Sequence, residues 1–191
     1  MGVIEVVDVA AGRRALAAGV LHCPCGGTLR AWGHARPRTI RGLHGARQVR
    51  PDRARCRSCR VTHVVLAAGL LPHRGYGLDV IGAALLGAAR GHGHRVLAAR
   101  LTVPAATVRS WLRRARTNSE PLHRLGVQAV IAVDRELLPT QVGPTPLGEA
   151  LAALAAAALA VVRRFGGNER DLWPVIAVLT GGRLLAPTLS T

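Results

Sequence analysis

Two cysteine pairs constrain this chain more than any other feature. Cys23-Pro24-Cys25-Gly26-Gly27 and Cys56-Arg57-Ser58-Cys59 stand thirty residues apart. Zn2+ takes four soft or borderline ligands at tetrahedral corners, with Zn–S close to about 2.3 Å. Two tight turns at the tips of neighbouring hairpins would present two thiolates each to such an ion, in a zinc-ribbon arrangement. The second pair has the usual two-residue spacer. The first is one residue shorter, which leaves open that His22 or His63 replaces one thiolate. Four reduced, metal-free cysteines and thiol redox chemistry are the competing readings. The pairing, the strand signals between the pairs and the scarcity of aromatic residues favour structural zinc on Cys23, Cys25, Cys56 and Cys59. Four thiolates close the coordination shell, so no reactive water and no catalytic zinc are expected.

The residues between the pairs fit that arrangement. Gly, Pro and Cys bound candidate strands at Thr28–Trp32, Gln48–Arg55 and Thr62–Leu66. Ten arginines fall between residues 30 and 60, opposed by Asp52 alone, with Trp32 and His34 interleaved. Arginine offers phosphate a planar fork of donors, which makes Arg36, Arg38 and Arg41 candidate phosphate contacts. The alternative is a solvated hairpin shaped by coding bias. All 26 basic residues are Arg, and Lys is absent, as a GC-rich genome would produce. Composition alone therefore does not establish nucleic-acid binding. The placement of charge says more: residues 1–117 hold 20 Arg against four acids, the full net +16, whereas residues 118–191 hold six of each.

Helical periodicity surrounds the cysteine region. Asp8 suits an N-cap for a helix over Val9–Ala18 that stops at Gly19. Leu78–Arg90 reads as a second helix, burying Val80, Ile81, Leu85 and Leu86. From His94 to Arg113 the apolar residues Leu97, Leu101, Val103, Val108 and Trp111 fall where two helices crossing at a tight turn bury side chains against each other, with small Ala98 at the crossing. Thr102 occupies a turn position that usually needs glycine. The second helix of the pair, about Ala105–Arg116, would expose Ala106, Thr107, Arg109, Ser110, Arg113 and Arg114 to a major groove. Residues 90–116 carry seven Arg and no acid. An ordinary helical hairpin is the competing reading.

The cysteine pairs, the Arg-rich hairpin, Thr62-His63-Val64-Val65-Leu66 and Thr107-Val-Arg-Ser-Trp-Leu-Arg-Arg114 together resemble the N-terminal region of bacterial transposase-like proteins, over about residues 20–117. That resemblance implies a zinc ribbon followed by a DNA-binding helix-turn-helix, with the cysteines as zinc ligands. Catalytic transposase domains hold two Mg2+ ions on three carboxylates. No such strand-borne triad is evident here. Asp134 follows the apolar run Ala129–Val133 and reads better as a cap or surface charge. No enzymatic activity is expected.

The expected class is α+β, mainly α: an N-terminal helix (1–20), a small β zinc ribbon (21–72), a three-helix helix-turn-helix domain (73–117) and a helical C-terminal region (118–191). In the last region, Arg116–Leu122 reads as a junction and Pro139–Pro146 as a loop. Helices follow over 147–164 and Glu169–Thr180. Their Ala/Leu-rich faces would either cover the DNA-binding domain or pair two copies in a homodimer. The run Leu147–Val162 is shorter than the roughly 20 residues that span a bilayer, and no secretory signal opens the chain. The expected location is cytoplasmic, associated with the nucleoid, with duplex DNA as partner and no membrane. An active transposase or recombinase subunit and an RNA-binding zinc-ribbon protein are the alternatives.

Overall fold

The computed structural model describes residues 2–71, 74–139 and 144–186. The chain divides into two compact units, Met1–Gly77 and Leu78–Thr191. Its class is α+β, with strands confined to the first unit among the described residues. The expected boundary at residues 72/73 lies outside the described residues.

The first unit contains strands β1 (Gly2–Val6), β2 (Leu29–His34), β3 (Arg38–Gly42), β4 (Gly45–Val49), β5 (Asp52–Cys56) and β6 (Thr62–Ala67), and one helix, α1 (Val9–Ala17). Four strands form one sheet in the order β1-β6-β5-β2, and β3 and β4 form a separate hairpin. The expected N-terminal helix region (1–20) opens instead with a strand: Gly2–Val6 is β1, paired in parallel with β6. Its Val/Ile content suits a strand. Asp8 caps α1 as expected, accepting from the Ala11 N–H at 2.7 Å.

Helix α1 packs on the sheet through Leu16 and through Gly12, where a Cβ would come within 2.9 Å of Val6. Beneath it Val6, Leu16, Cys23, Leu29, Ala54, Cys56 and Val65 form one buried cluster. The single strand expected over Gln48–Arg55 is two. Pro51 cannot donate to a ladder, and the chain turns at Arg50-Pro51 between β4 and β5.

The second unit is helical: α2 (Leu78–Ala89), α3 (His94–Leu101), α4 (Ala105–Thr117), α5 (Ser119–Val133), α6 (Pro146–Phe165) and α7 (Trp173–Leu179). Ile81, Leu85, Leu97, Ala98, Val103, Val108, Trp111 and Leu154 are buried. Leu86, expected in this core, is 39% exposed, because it follows Leu85 by about 100° around the helix and leaves the buried face.

The junction expected at Arg116–Leu122 shrinks to Asn118, which caps α4, and α5 begins at Ser119. Pro121 fits there because a first-turn proline gives up an N–H with no helical partner. The strand-like run Ala129–Val133 is the last turn of α5. Asp134 then acts as a cap, accepting from the Glu136 N–H at 3.2 Å.

Close helix contact continues into α6. A Cβ at Gly126 would lie 2.7 Å from the Ala153 backbone and 2.8 Å from that of Leu154. Leu147, Leu151 and Leu154 turn inward with Ala150, Ala153, Ala157 and Ala160. Thr145 caps α6 by accepting from Gly148 at 3.1 Å. At 20 residues α6 is longer than expected, and by length and composition alone it could cross a membrane. Half of its apolar stretch is buried inside the unit. Residues 140–143 of the expected loop lie outside the described residues. Helix α7 starts at Trp173, with Asp171 accepting from its N–H at 3.3 Å, and the Trp173 ring lies directly over Gly82 of α2.

Candidate metal centre and nucleic-acid interface

Backbone geometry builds two matched turns. In the first, the Cys23 N–H donates to the Gly27 carbonyl at 2.8 Å and the Gly26 N–H to the Cys23 carbonyl at 2.8 Å. In the second, the Cys56 N–H donates to the Val61 carbonyl at 2.9 Å. The residue after the last cysteine of each turn is left-handed: Gly26 at φ 85° and Arg60 at φ 62°. That reversal aims the following N–H back at the preceding sulfur. Gly27 donates to Cys25 and Val61 to Cys59, while the Cys25 N–H faces Cys23 and those of Ser58 and Cys59 face Cys56. Every one of the four sulfurs thus meets a main-chain donor, the arrangement that favours thiolate over thiol.

The turns meet tip to tip. All four sulfurs lie within 4.8 Å of one another, with Cys23 and Cys59 at 3.6 Å and Cys25 and Cys56 at 3.6 Å. None forms a disulfide. A tetrahedral ion with M–S of about 2.3 Å needs sulfurs about 3.8 Å apart, so the set fits a metal ion. Gly27 permits the approach: a Cβ there would sit 2.7 Å from the Cys56 sulfur and 2.5 Å from the Ser58 hydroxyl. The Arg57 N–H also donates across to the Thr28 carbonyl at 3.0 Å.

Histidine does not replace a cysteine in this cluster. His22 turns its Nδ1 to the Val20 carbonyl at 3.0 Å. His63 is buried behind Cys23, with Nε2 3.3 Å from its sulfur, and so supports a ligand without joining the four. Electrostatics follow the crowding. Burial opposes ionisation of Cys56, yet the N–H groups of Cys59 and Ser58 and the neighbouring sulfurs hold its pKa down at about 6. The Cys25 N–H favours a Cys23 thiolate, but burial and the three other thiols push it up to about 12. Four metal-free thiols this close must share protons, a conflict that a cation removes.

Of the arginines named from sequence in this unit, Arg36 is exposed, Arg38 is half-buried and Arg41 is exposed. The guanidinium of Arg41 lies 5.7 Å from the Tyr76 ring centroid. Burial lowers the Arg38 pKa, and its Nε has no hydrogen-bond partner among the described residues. Asp52, the lone acid of the stretch, is occupied by Arg13 at 2.8 Å and His34 at 2.8 Å.

In the second unit three residues join α3 to α4. Thr102 takes the left-handed conformation (φ 52°, ψ 44°) that made glycine the expected residue. Ala106, Arg109 and Arg113 are exposed, and Thr107 and Ser110 are half-exposed. Arg114 turns partly inward and donates to the Leu185 carbonyl at 3.4 Å. A cleft of about 430 Å³ is lined by Gly93, His94, Arg109, Leu112, Arg113, Arg116 and Thr117. It joins three guanidinium groups to the N-terminal turn of α3, which no side chain caps. His94 and Arg116 were not singled out in the sequence, although both belong to the acid-free stretch 90–116.

Comparison with known families adds one match. Residues 23–111 match the family described as Domain of unknown function (DUF6431). The matched segment starts at the first cysteine of the cluster and ends at buried Trp111, so it includes all four sulfurs and most of the α3–α4 pair. Its description names neither a transposase nor a zinc ribbon. No curated protein and no solved structure matches the chain.

Proposed function

We propose that the protein is a zinc-containing DNA-binding protein that reads duplex DNA through α3 and α4, used as a helix-turn-helix. The observation that carries this reading is the α3–α4 pair. A three-residue, left-handed turn joins the helices, and Val108 and Trp111 are buried on one side of α4 while Arg109 and Arg113 are exposed on the other. Arg109 and Arg113 sit four residues apart, where both can enter one major groove and bond guanine O6 and N7. Ala106 and Thr107 meet a thymine methyl or a phosphate, and Ser110 lies between them. Arg116 and the first turn of α3 hold a backbone phosphate in the cleft, where helix N–H groups favour an anion.

Zinc on Cys23, Cys25, Cys56 and Cys59 holds the first unit in shape, and Arg36, Arg38 and Arg41 add phosphate contacts. The likeness to transposase-like N-terminal regions makes element ends or operator sites the expected targets, with transcriptional regulation as the expected role. Selection of bound sequences from a random duplex pool, with and without chelator, tests this. An enriched motif is expected, and Arg109→Ala or Arg113→Ala should weaken binding to it by about 1–3 kcal/mol and relax one base position. The reading is overturned if no motif is enriched, or if structured RNA outcompetes duplex DNA at equal salt.

A further inference from the structure

Three of the chain's five aromatic residues are tryptophans, and they are used differently. Trp111 is 1% exposed and Trp173 covers Gly82, but Trp32 in β2 is 43% exposed. Along β2 Leu29 faces the buried cluster, so Arg30 and Trp32 alternate onto the face of the sheet away from α1. The ladder pairs Arg30 directly with Arg55 of β5. Both guanidinium groups gather on the same indole, with carbons 4.9 Å and 4.7 Å from the ring centroid. Arg55 is held there by its Nε donating to the Arg60 carbonyl at 3.1 Å, which ties the stack to the Cys56–Cys59 turn.

Two like charges directly opposite each other destabilise a sheet. No carboxylate pairs with Arg30 or Arg55 among the described residues. The cluster therefore lacks an anion, and it lacks one beside an indole that is 43% exposed while the two guanidinium groups stack on it. Guanidinium groups bond phosphate oxygens in a fork, and an indole face stacks a nucleobase. In a duplex each base face is covered by its neighbours, so only an unpaired base presents the surface that Trp32 fits.

We infer that the outer face of this sheet binds single-stranded DNA, stacking an unpaired base on Trp32 and holding its phosphate between Arg30 and Arg55. The site lies wholly in the first unit and stands or falls independently of duplex reading by α4. The test titrates the zinc-loaded full chain into a labelled oligothymidine of about 15 nucleotides, matching the site sizes of single-strand binders. Affinity is read by anisotropy and stacking by quenching of tryptophan fluorescence. Trp32→Ala should weaken binding about 5–100-fold and remove the quench, and Trp32→Phe should restore much of the affinity. Arg30→Gln should flatten the salt dependence by roughly 0.7 in the log–log slope.

A chelator competition confirms that each variant keeps its metal centre. Should Trp32→Ala lose it, the Arg30→Gln salt slope and the Trp32→Phe affinity decide the question. The inference is overturned if the variants bind oligothymidine as the parent does. It is equally overturned if polyglutamate binds with the same Trp32 dependence, or if oligouridine binds more tightly through Trp32, which would make the site one for polyanions or for RNA.

Discussion

Gly27 gives the sharpest test of the metal centre. A Cβ at this position would stand 2.7 Å from the Cys56 sulfur, 2.5 Å from the Ser58 hydroxyl and 2.9 Å from the Ser58 Cβ. Ordinary contacts to carbon lie at about 3.5–4.0 Å, so Gly27→Ala must part the two turns by about 1 Å. The exposed Ser58 hydroxyl can rotate away, whereas the Ser58 Cβ is fixed by its backbone and the Cys56 sulfur is buried. Metal–ligand distances tolerate only about 0.2 Å, so the strain falls on the metal-bound state. Overpacking of this kind is worth about 1–3 kcal/mol. The stiffer unfolded chain returns about 0.4–1 kcal/mol, so at the middle of both ranges the net loss is about 1.3 kcal/mol. At 1.4 kcal/mol per decade that is roughly 8-fold weaker metal binding.

Competition for Zn2+ against a chromophoric chelator at fixed pH measures the loss. Substitution with Co2+ reports through its absorption bands whether the site stays tetrahedral. The double variant Gly27→Ala/Ser58→Gly separates the two contacts, and it should stay weak because the sulfur contact persists. Affinity within twofold of the parent for Gly27→Ala would refute the reasoning. Full recovery in the double variant would refute the role given to Cys56.

Arg60→Gly should stabilise the first unit by about 1 kcal/mol, since the left-handed backbone penalises a side chain and the Arg55 bond goes to a main-chain carbonyl that remains. A lower melting temperature would contradict it. Gly126→Ala should lower the melting temperature of the second unit despite the better helix propensity of alanine, worth about 1 kcal/mol, because the new methyl meets the α6 backbone rather than a side chain able to move. The hydrogen bond and charge of Arg13, against some burial, hold the Asp52 carboxyl below its ordinary range, with His34 adding to the shift. A depressed pKa contributes stability above the unfolded value of about 3.9, and that contribution disappears as pH falls through the folded value. Asp52→Asn should therefore destabilise at neutral pH and match the parent in strong acid, as urea melts across that range would reveal.

What could be read from the residues follows from how local the determining physics is. The α1 cap at Asp8, the helix over 78–90, the α3–α4 pair and the four sulfurs are written in short spacings, and each is found. The β1 strand was not legible because its identity depends on β6, sixty residues away, which supplies its hydrogen bonds. Helix α5 was hidden by Asn118, Ser119 and Pro121, each of which reads as a loop residue when taken alone. In place, Asn118 caps α4 and its side chain donates to the Ala186 carbonyl at 3.0 Å, while Pro121 occupies a first turn. The shortened first cysteine spacer leaves a histidine ligand open beside the four cysteines. Gly26 and Gly27 answer it, because a left-handed residue followed by one without a side chain lets the shorter turn reach the same sulfur cluster.

The two units are organised by different forces, and this explains where the charge resides. The second unit has an apolar core, with Trp111, Val108, Ile81, Leu85 and Leu154 all but fully buried. Its neutral C-terminal helices supply much of that apolar surface, so residues 118–191 can balance six Arg with six acids while α4 keeps an acid-free exposed face. In the first unit Cys23 and Cys56 are themselves two of the seven residues of the buried cluster beneath α1. Without a cation, those core positions hold polarised sulfurs that crowd their exposed partners, and the apolar side chains left are Val6, Leu16, Leu29, Ala54 and Val65 of this cluster and the small separate group of Ile40, Leu66 and Leu70. Ten arginines between residues 30 and 60 add repulsion that burial alone cannot offset in so small a core. A metal ion on the four clustered sulfurs would supply what this core lacks, and the proposed zinc would make a hairpin region this basic compatible with a folded sheet.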